Sequence, residues 1–201
     1  MRVRLWAMRT EPLTAAETEL LLMGLPGTLR NYIRSVASRK RQQSLWAYSL
    51  LRYAMQTGYG LEMPEIVRDK AGKPHFCEKT DLLFNISHTE GAVLVGLSHR
   101  ELGVDLEKER KAPVHLKKIL QTEDAFFSAW VHWEACAKCR GVSVLSLLRK
   151  GVLPEDIAYQ EVEVFPGYRA GAAVEGGEIA PEIQFVDSGS VLAWCKGNPI
   201  D

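Results

Sequence analysis

Apolar and polar positions along the chain predict an alternation of strands and helices. Residues 3 to 8 alternate with the two-residue period of a half-buried strand. Thr14 followed three residues later by Glu17 forms a capping-box signature, so a helix opens there and runs to about Met23, where Gly24, Pro26 and Gly27 stop it. Helical spacing returns from about Leu29 to Gln56, with Leu45, Tyr48, Leu51, Arg52 and Met55 on one stripe, a break near Ser35 to Ser38, and Gly58 and Gly60 at the end. Gly72-Lys73-Pro74 is turn chemistry, Leu83 to Ile86 is a short apolar run, and Ala92 to Leu97 reads as a buried strand. In Gly103-Val104-Asp105-Leu106-Glu107 the apolar and acidic residues alternate, so a strand buries Val104 and Leu106 and projects both acids from its other face. A helical region follows from about His115 to Cys139, with a cap-like Thr122-Glu123-Asp124 inside it and Phe126, Phe127, Trp130 and Ala137 as its core face. After Pro154, β-like runs near residues 160 to 165, 182 to 186 and 191 to 195 are cut into hairpins by Gly and Pro. No repeat or low-complexity linker divides the chain, and the seam between two lobes, if there are two, falls near Leu102.

Composition narrows the class of partner. The 201 residues suffice for one domain or two small lobes, and 46% hydrophobic with 25% charged residues is ordinary for a folded chain. Twenty-five basic residues balance twenty-five acidic ones, so no global field steers the protein to nucleic acid or a membrane surface. The N-terminus lacks the apolar core of a signal peptide, and no apolar stretch approaches the roughly 20 residues that span a bilayer. The expectation is a cytoplasmic protein whose four cysteines stay reduced, with Cys136-Ala-Lys-Cys139 serving helix packing. One charge asymmetry stands out: residues 20 to 61 hold no acid but carry Arg30, Arg34, Arg39, Lys40, Arg41 and Arg52. Such a stretch is a solvated helix face, or else a site for phosphate or an acidic partner. No nucleic-acid-binding signature accompanies it.

Three acids and a lysine are the candidate chemistry. Asp105 and Glu107 offer hard oxygen ligands from one strand face and Glu134 a third from the following helix, a donor set that suits Mg²⁺ or Mn²⁺ better than zinc. Taken alone, an Asp-x-Glu is also what a solvated strand face looks like. Glu134 and Lys138 stand one helical turn apart, either as an ordinary surface pair or as a pair held at the core edge by Trp130 one turn earlier. Ser87-His88 follows a short strand and is expected at a loop mouth, with no third partner for a hydrolase triad. The histidines His75, His99, His115 and His132 read as surface or packing residues.

Together, Gly72-Lys73-Pro74-His75-Phe76, Phe84-Asn85-Ile86-Ser87-His88, Gly103-Val104-Asp105-Leu106-Glu107, Trp130-x-x-x-Glu134-Ala135-x-x-Lys138 and Pro166-Gly167-Tyr168-x-x-Gly171-Ala172 resemble the 4′-phosphopantetheinyl transferases of the surfactin-synthetase-activating type, in the family's order. The resemblance implies an α+β fold of two similar α/β lobes related by a pseudo-twofold axis, residues 1–102 and 103–201, with coenzyme A in the cleft between them and a monomer as the working form. It implies that Asp105, Glu107 and Glu134 hold Mg²⁺ against the coenzyme A pyrophosphate. Lys73, Ser87 and His88 would contact the phosphates and Lys138 the pyrophosphate, while the basic helix, through Arg30, Arg34 or Arg41, would hold the 3′-phosphate. Glu134 would be the base and Lys138 the charge-neutralising partner for transfer to the serine of an acyl or peptidyl carrier protein. Three features depart from the family: Trp133 stands where a Lys usually precedes the helix glutamate, the segment between Glu107 and Trp130 is short, and His132 and Cys136 are unusual at their helix positions. These departures motivate a second expectation, a coenzyme A- or carrier-binding module without catalysis, and the ligand chemistry admits a third, a Mg²⁺-dependent phosphohydrolase.

Overall fold

The structure, a computed structural model, describes residues 3–70, 72–78, 80–120 and 125–199; the cap-like Thr122-Glu123-Asp124 lies outside the described residues. The fold is α+β. Strand β1 (Val3–Arg9) leads into helices α1 (Ala15–Met23), α2 (Gly27–Ser35) and α3 (Ser38–Tyr59). The short strands β2 (Ile66–Arg68) and β3 (Pro74–Phe76) precede β4 (Leu83–Thr89), β5 (Ala92–Ser98) and β6 (Leu102–Lys108). Helices α4 (Val114–Leu120), α5 (Phe126–Arg140) and α6 (Val144–Lys150) come next, then β7 (Ile157–Val162), β8 (Tyr168–Glu175), β9 (Pro181–Val186) and helix α7 (Ser188–Gly197).

Local chemistry accounts for most of these boundaries. The Thr14 hydroxyl accepts from the Glu17 amide while the Glu17 carboxylate accepts from the Thr14 amide, closing the capping box that opens α1. The long basic helical stretch divides where expected, because Val36 and Ala37 are extended, and the Arg41 guanidinium donates to the carbonyls of Arg34 and Val36 at the end of α2. Gly60 ends α3 in the left-handed conformation, at φ 65°.

The strands form two main sheets. The first has the order β4-β5-β1-β9, with β1 antiparallel to β5 and parallel to β9; the second, β6-β8-β7, is antiparallel throughout. One face of the first sheet, through Trp6, Met8, Val93, Val95 and Leu97, packs on helices α1, α3 and α7. Its other face, through Leu5, Ala7, Ala92 and Leu94, packs on Val104, Leu106, Ala170 and Ala172 of the second sheet. Helices α5 and α6 cover the far side of that second sheet. Strand β5 is thus buried on both faces, which is why its apolar run is continuous instead of alternating.

Helix α6 and the short strands β2 and β3 are not expected from the sequence, and three larger features also differ. The run at 191 to 195 is helix, not strand: Asp187 accepts from the Ser190 amide as an N-cap, and Val191 and Cys195, four residues apart, turn inward together. Strand β8 was not anticipated, because its Ala-Gly-Ala-Ala sequence carries little strand preference and forms a strand through pairing with β6 and β7. The chain passes from the first sheet to the second at Leu102, yet β9 and α7 return to the first. Among the described residues no helix is long and apolar enough to cross a membrane.

Candidate active site

The site forms where α5 presses onto β6. A side chain at Gly103 would collide with the α5 backbone at Ala135 and Cys139, so only glycine permits this approach. Two residues along the same strand face, Asp105 then lies under Lys138, whose Nζ is 2.7 Å from Asp105 Oδ1. The Asp105 side chain is 6% exposed, so this ion pair is removed from water and requires further hydrogen bonds to offset its desolvation. Ser87 supplies them: its Oγ donates to Asp105 Oδ1 (2.9 Å) and accepts from Lys138 Nζ (3.0 Å) and the Leu106 amide (3.2 Å). That is the whole bonding capacity of a hydroxyl. Lys138 Nζ also donates to the Val104 carbonyl at 3.1 Å.

Ser87 and His88 are therefore not at a loop mouth, as their sequence context predicts, but within β4, where alternation turns Ser87 inward and His88 outward. Asn85, two residues earlier on the same face, accepts from the Val104 amide at 2.9 Å. The side chains of Asn85 and Ser87 thus meet successive outward amides of β6 and join the two sheets at their adjacent edges without a backbone ladder.

The three acids lie within one another's fields. Burial pushes Glu134 up to about 7, opposed by Lys138 and reinforced by the charges of Asp105 and Glu107. Burial also raises Glu107, and Asp105 adds to it, against the Arg110 guanidinium 2.9 Å away. Asp105 Oδ2 is buried and makes no hydrogen bond. Among the described residues no group of three His, Cys, Asp or Glu side chains is close enough to enclose a metal ion. An unsatisfied buried carboxylate oxygen with two further carboxylates in its field is a donor set that would suit a hard cation of the Mg²⁺ type, bound in a more open way.

Beside this cluster runs a groove. A hollow of about 310 Å³ is lined by Tyr32, Tyr48, Arg68, Ser87, His88 and Lys138 among others. It shares Pro74, Ile86 and Lys138 with a second of about 400 Å³, which adds Lys73 and the Gly141 to Ser143 turn. Lys73 pairs with Glu101 at 2.8 Å and reaches the Cys139 carbonyl. His88 keeps much of its surface in solvent, but its position in the groove lowers its pKa, through lost solvation first and then the charge of Lys138.

The groove contains a cation that the sequence analysis missed. Arg68 donates to the Tyr48 hydroxyl (2.9 Å) and the Gly72 carbonyl (2.8 Å) and lies 4.3 Å from the centre of the Tyr32 ring. Its signal was the β2–β3 hairpin around the Gly72-Lys73-Pro74 turn, which sets Arg68 opposite Pro74. Conversely, Arg30, Arg34 and Arg41 do not line these hollows. Arg30 and Arg41 are committed to helix-end carbonyls, and Arg34 pairs across solvent with Glu19 at 3.7 Å.

The remaining helix residues have packing roles. Trp133 lies against the core shared by α5, α6 and β7, and Trp130 stacks on Phe126 while staying half-buried. Cys136 and Cys139 are free thiols inside α5, and burial pushes them up to about 11 and about 12, so neither carries thiolate at neutral pH.

No protein-family model matches the chain. Over 96 residues, 47% of the chain, it is 33% identical to the uncharacterized protein YieE of Escherichia coli strain K12, and the match spans 39% of that protein. Over 110 residues, 53% of the chain, it is 26% identical to a 4′-phosphopantetheinyl transferase of Bacillus subtilis, spanning 49% of that enzyme. The chain thus spans about two-fifths to one half of the length of the curated relatives it matches.

Proposed function

We propose that this protein transfers the 4′-phosphopantetheine group of coenzyme A to a serine hydroxyl of an acyl or peptidyl carrier protein, releasing 3′,5′-ADP. The observation that supports it most is the buried Asp105–Lys138–Ser87 junction beside Glu134, whose pKa is raised to about 7, at the edge of a cation-lined groove. Similarity to the Bacillus subtilis transferase over half the chain points the same way. In this reading the two lobes meet at Leu102 in a pseudo-twofold arrangement of the surfactin-synthetase-activating type, β9 and α7 completing the first lobe, and the protein works as a cytoplasmic monomer.

Coenzyme A occupies the groove, its phosphates near Lys73, His88 and Arg68. Asp105, Glu107 and Glu134 are the residues that would hold Mg²⁺ or Mn²⁺. Bound there, the cation supplies positive charge to a pyrophosphate that otherwise faces three carboxylates. Glu134, with its pKa near neutrality, takes the proton of the carrier serine as its oxygen attacks phosphorus and the bond to 3′,5′-ADP breaks. Lys138 has its three N–H groups engaged by Ser87, Val104 and Asp105, so it acts as a fixed positive charge beside the reacting phosphate.

A second reading is a coenzyme A- or carrier-binding module without catalysis, favoured by the lack of a closed ring of three metal-holding side chains among the described residues and by Trp133 facing the core. Intact-mass analysis of apo carrier proteins incubated with the protein, coenzyme A and Mg²⁺ decides between them. Transfer predicts a phosphopantetheine mass gain that disappears with a serine-to-alanine carrier. Glu134→Gln should lower the rate by roughly 10²- to 10⁴-fold while coenzyme A still binds. Binding of coenzyme A with no gain on any carrier supports the module, and phosphopantetheine released into water without a carrier supports a phosphohydrolase.

A further inference from the structure

Two buried polar atoms near the carboxylates make no hydrogen bond, and they belong to neighbouring rows of the second sheet. One is Asp105 Oδ2, the other the Tyr159 hydroxyl oxygen. The strand register sets Asp105 opposite Gly171 on β8, and sets Tyr159 opposite Ala173, the next residue of β8 on the same face. The phenol ring leans along that face onto Gly171: a methyl group there would stand 2.5 Å from its Cε2 and 2.7 Å from its Cζ, and closer still to the hydroxyl. The hydroxyl therefore lies over the cross-strand partner of Asp105. His132 of α5 stacks on the ring, centroids 3.8 Å apart and planes 15° from parallel, and fixes it in that direction. Burial raises the phenol pKa, and the nearby acids Glu161 and, least, Asp105 add to the shift.

A buried hydroxyl without a partner costs folding free energy, and phenylalanine would fill almost the same volume without that cost. Asp105 Oδ1 already accepts from Lys138 and Ser87, so Oδ2 is the oxygen with lone pairs to spare. We propose that Tyr159 is a positioning residue: its hydroxyl donates to a single water held between the phenol and the Asp105 carboxylate, and that water donates to Asp105 Oδ2, setting the angle at which the carboxylate meets a divalent cation. A water so placed has the two polar partners it needs. The inference rests on the cation-holding role proposed for Asp105. It accounts for Gly171, where any side chain would push the ring away, and for the His132 stack. Hydrogen bonds of this kind hold a ligating carboxylate in place, and their loss costs roughly 10- to 100-fold in metal affinity.

The test is a Mn²⁺ titration of the protein alone, followed by the electron paramagnetic resonance signal of the free ion, together with the melting temperature of each metal-free protein. Tyr159→Phe keeps the ring and its stack on His132; it should fold and weaken Mn²⁺ binding by about tenfold or more. Gly171→Ala, which displaces the ring, should weaken it similarly. Unchanged Mn²⁺ affinity in Tyr159→Phe beside a wild type that binds overturns the role of the hydroxyl, and a raised melting temperature would then identify an orphan group relieved. A wild type that binds no Mn²⁺ overturns the cation-holding role of Asp105 itself, and this inference with it.

Discussion

The helices of the first sheet rest on large side chains, Trp6, Trp46, Tyr48 and Leu50, whereas α5 lies against the second sheet through Gly103, Ala135 and Ala173. On the first sheet the layer is filled by apolar side chains, each fully buried Val, Leu, Ile, Phe or Met contributing about 1.5–3 kcal/mol. On the second, small residues bring helix and strand backbones together, and the charged residues next to the contact, Asp105, Glu134 and Lys138, are drawn partly out of water with them. One sheet holds the fold together; the other tolerates buried charge because its neighbour anchors it through Asn85 and Ser87.

The largest effect that would sharpen this contrast is expected at Gly103. Gly103→Val meets α5 backbone that cannot yield, so the protein should lose more than about 4 kcal/mol or fail to fold. Gly96→Ala, on the first sheet, meets the Leu102 and Val104 side-chain ends at 2.8 Å, which can repack for about 1–3 kcal/mol. Equal losses in urea denaturation would erase the distinction. Lys138→Met comes next, because it leaves the Asp105 carboxylate buried and unpaired, a cost of about 3–5 kcal/mol. Pairing it with Asp105→Asn should recover part of that loss, and a double-mutant cycle with no coupling would show that the pair is already solvated.

Glu134 yields a pH-dependent prediction of intermediate size. Its folded pKa, about 7, lies above the ordinary 4.5, so between these values the folded protein holds a proton that the unfolded chain has released. Stability should therefore fall as pH rises from about 4.5 through about 7, by roughly 2 kcal/mol after allowing for solvent around the half-buried side chain. Glu134→Gln should flatten that slope, being more stable than wild type at pH 8 and equal to it at pH 4; parallel melting curves at both pH values would contradict the burial of the acid. The smallest effect belongs to the first region: Thr14→Ala removes the cap of α1 and should cost about 1 kcal/mol, a fall in melting temperature of about 2–4 °C, with no change at the site.

Much of this architecture was legible in the residues. The capping box at Thr14, the break before Ser38, the doubly buried β5 and the acid-bearing β6 each depend on neighbours within a few positions, and all four occur as expected. The site was legible as chemistry and less so as placement. A Ser-His dipeptide looks like a turn, yet Ser87 lies in a strand and pairs with Leu94, seven residues later. Arg34 and Arg41 belonged to a basic stretch, but their partners, Glu19 and helix-end carbonyls, appear only when helices are docked. Arg68 was signalled only by its place in the β2–β3 hairpin and Tyr159 by no pattern, since each matters through a ring or backbone group brought from elsewhere.

From the order of its residues, this chain settles its α+β character, the spans of most elements, and a supply of carboxylates with one lysine on facing surfaces of a strand and a helix. Folding settles which of those groups meet: that β9 runs parallel to β1, that Lys138 has all its donors engaged, and that Asp105 keeps one oxygen bare. The division has a physical cause. Periodicity and capping act over a few residues of one segment, whereas burial, desolvation and hydrogen-bond partners depend on how closely two backbones approach, and here Gly103 sets that distance.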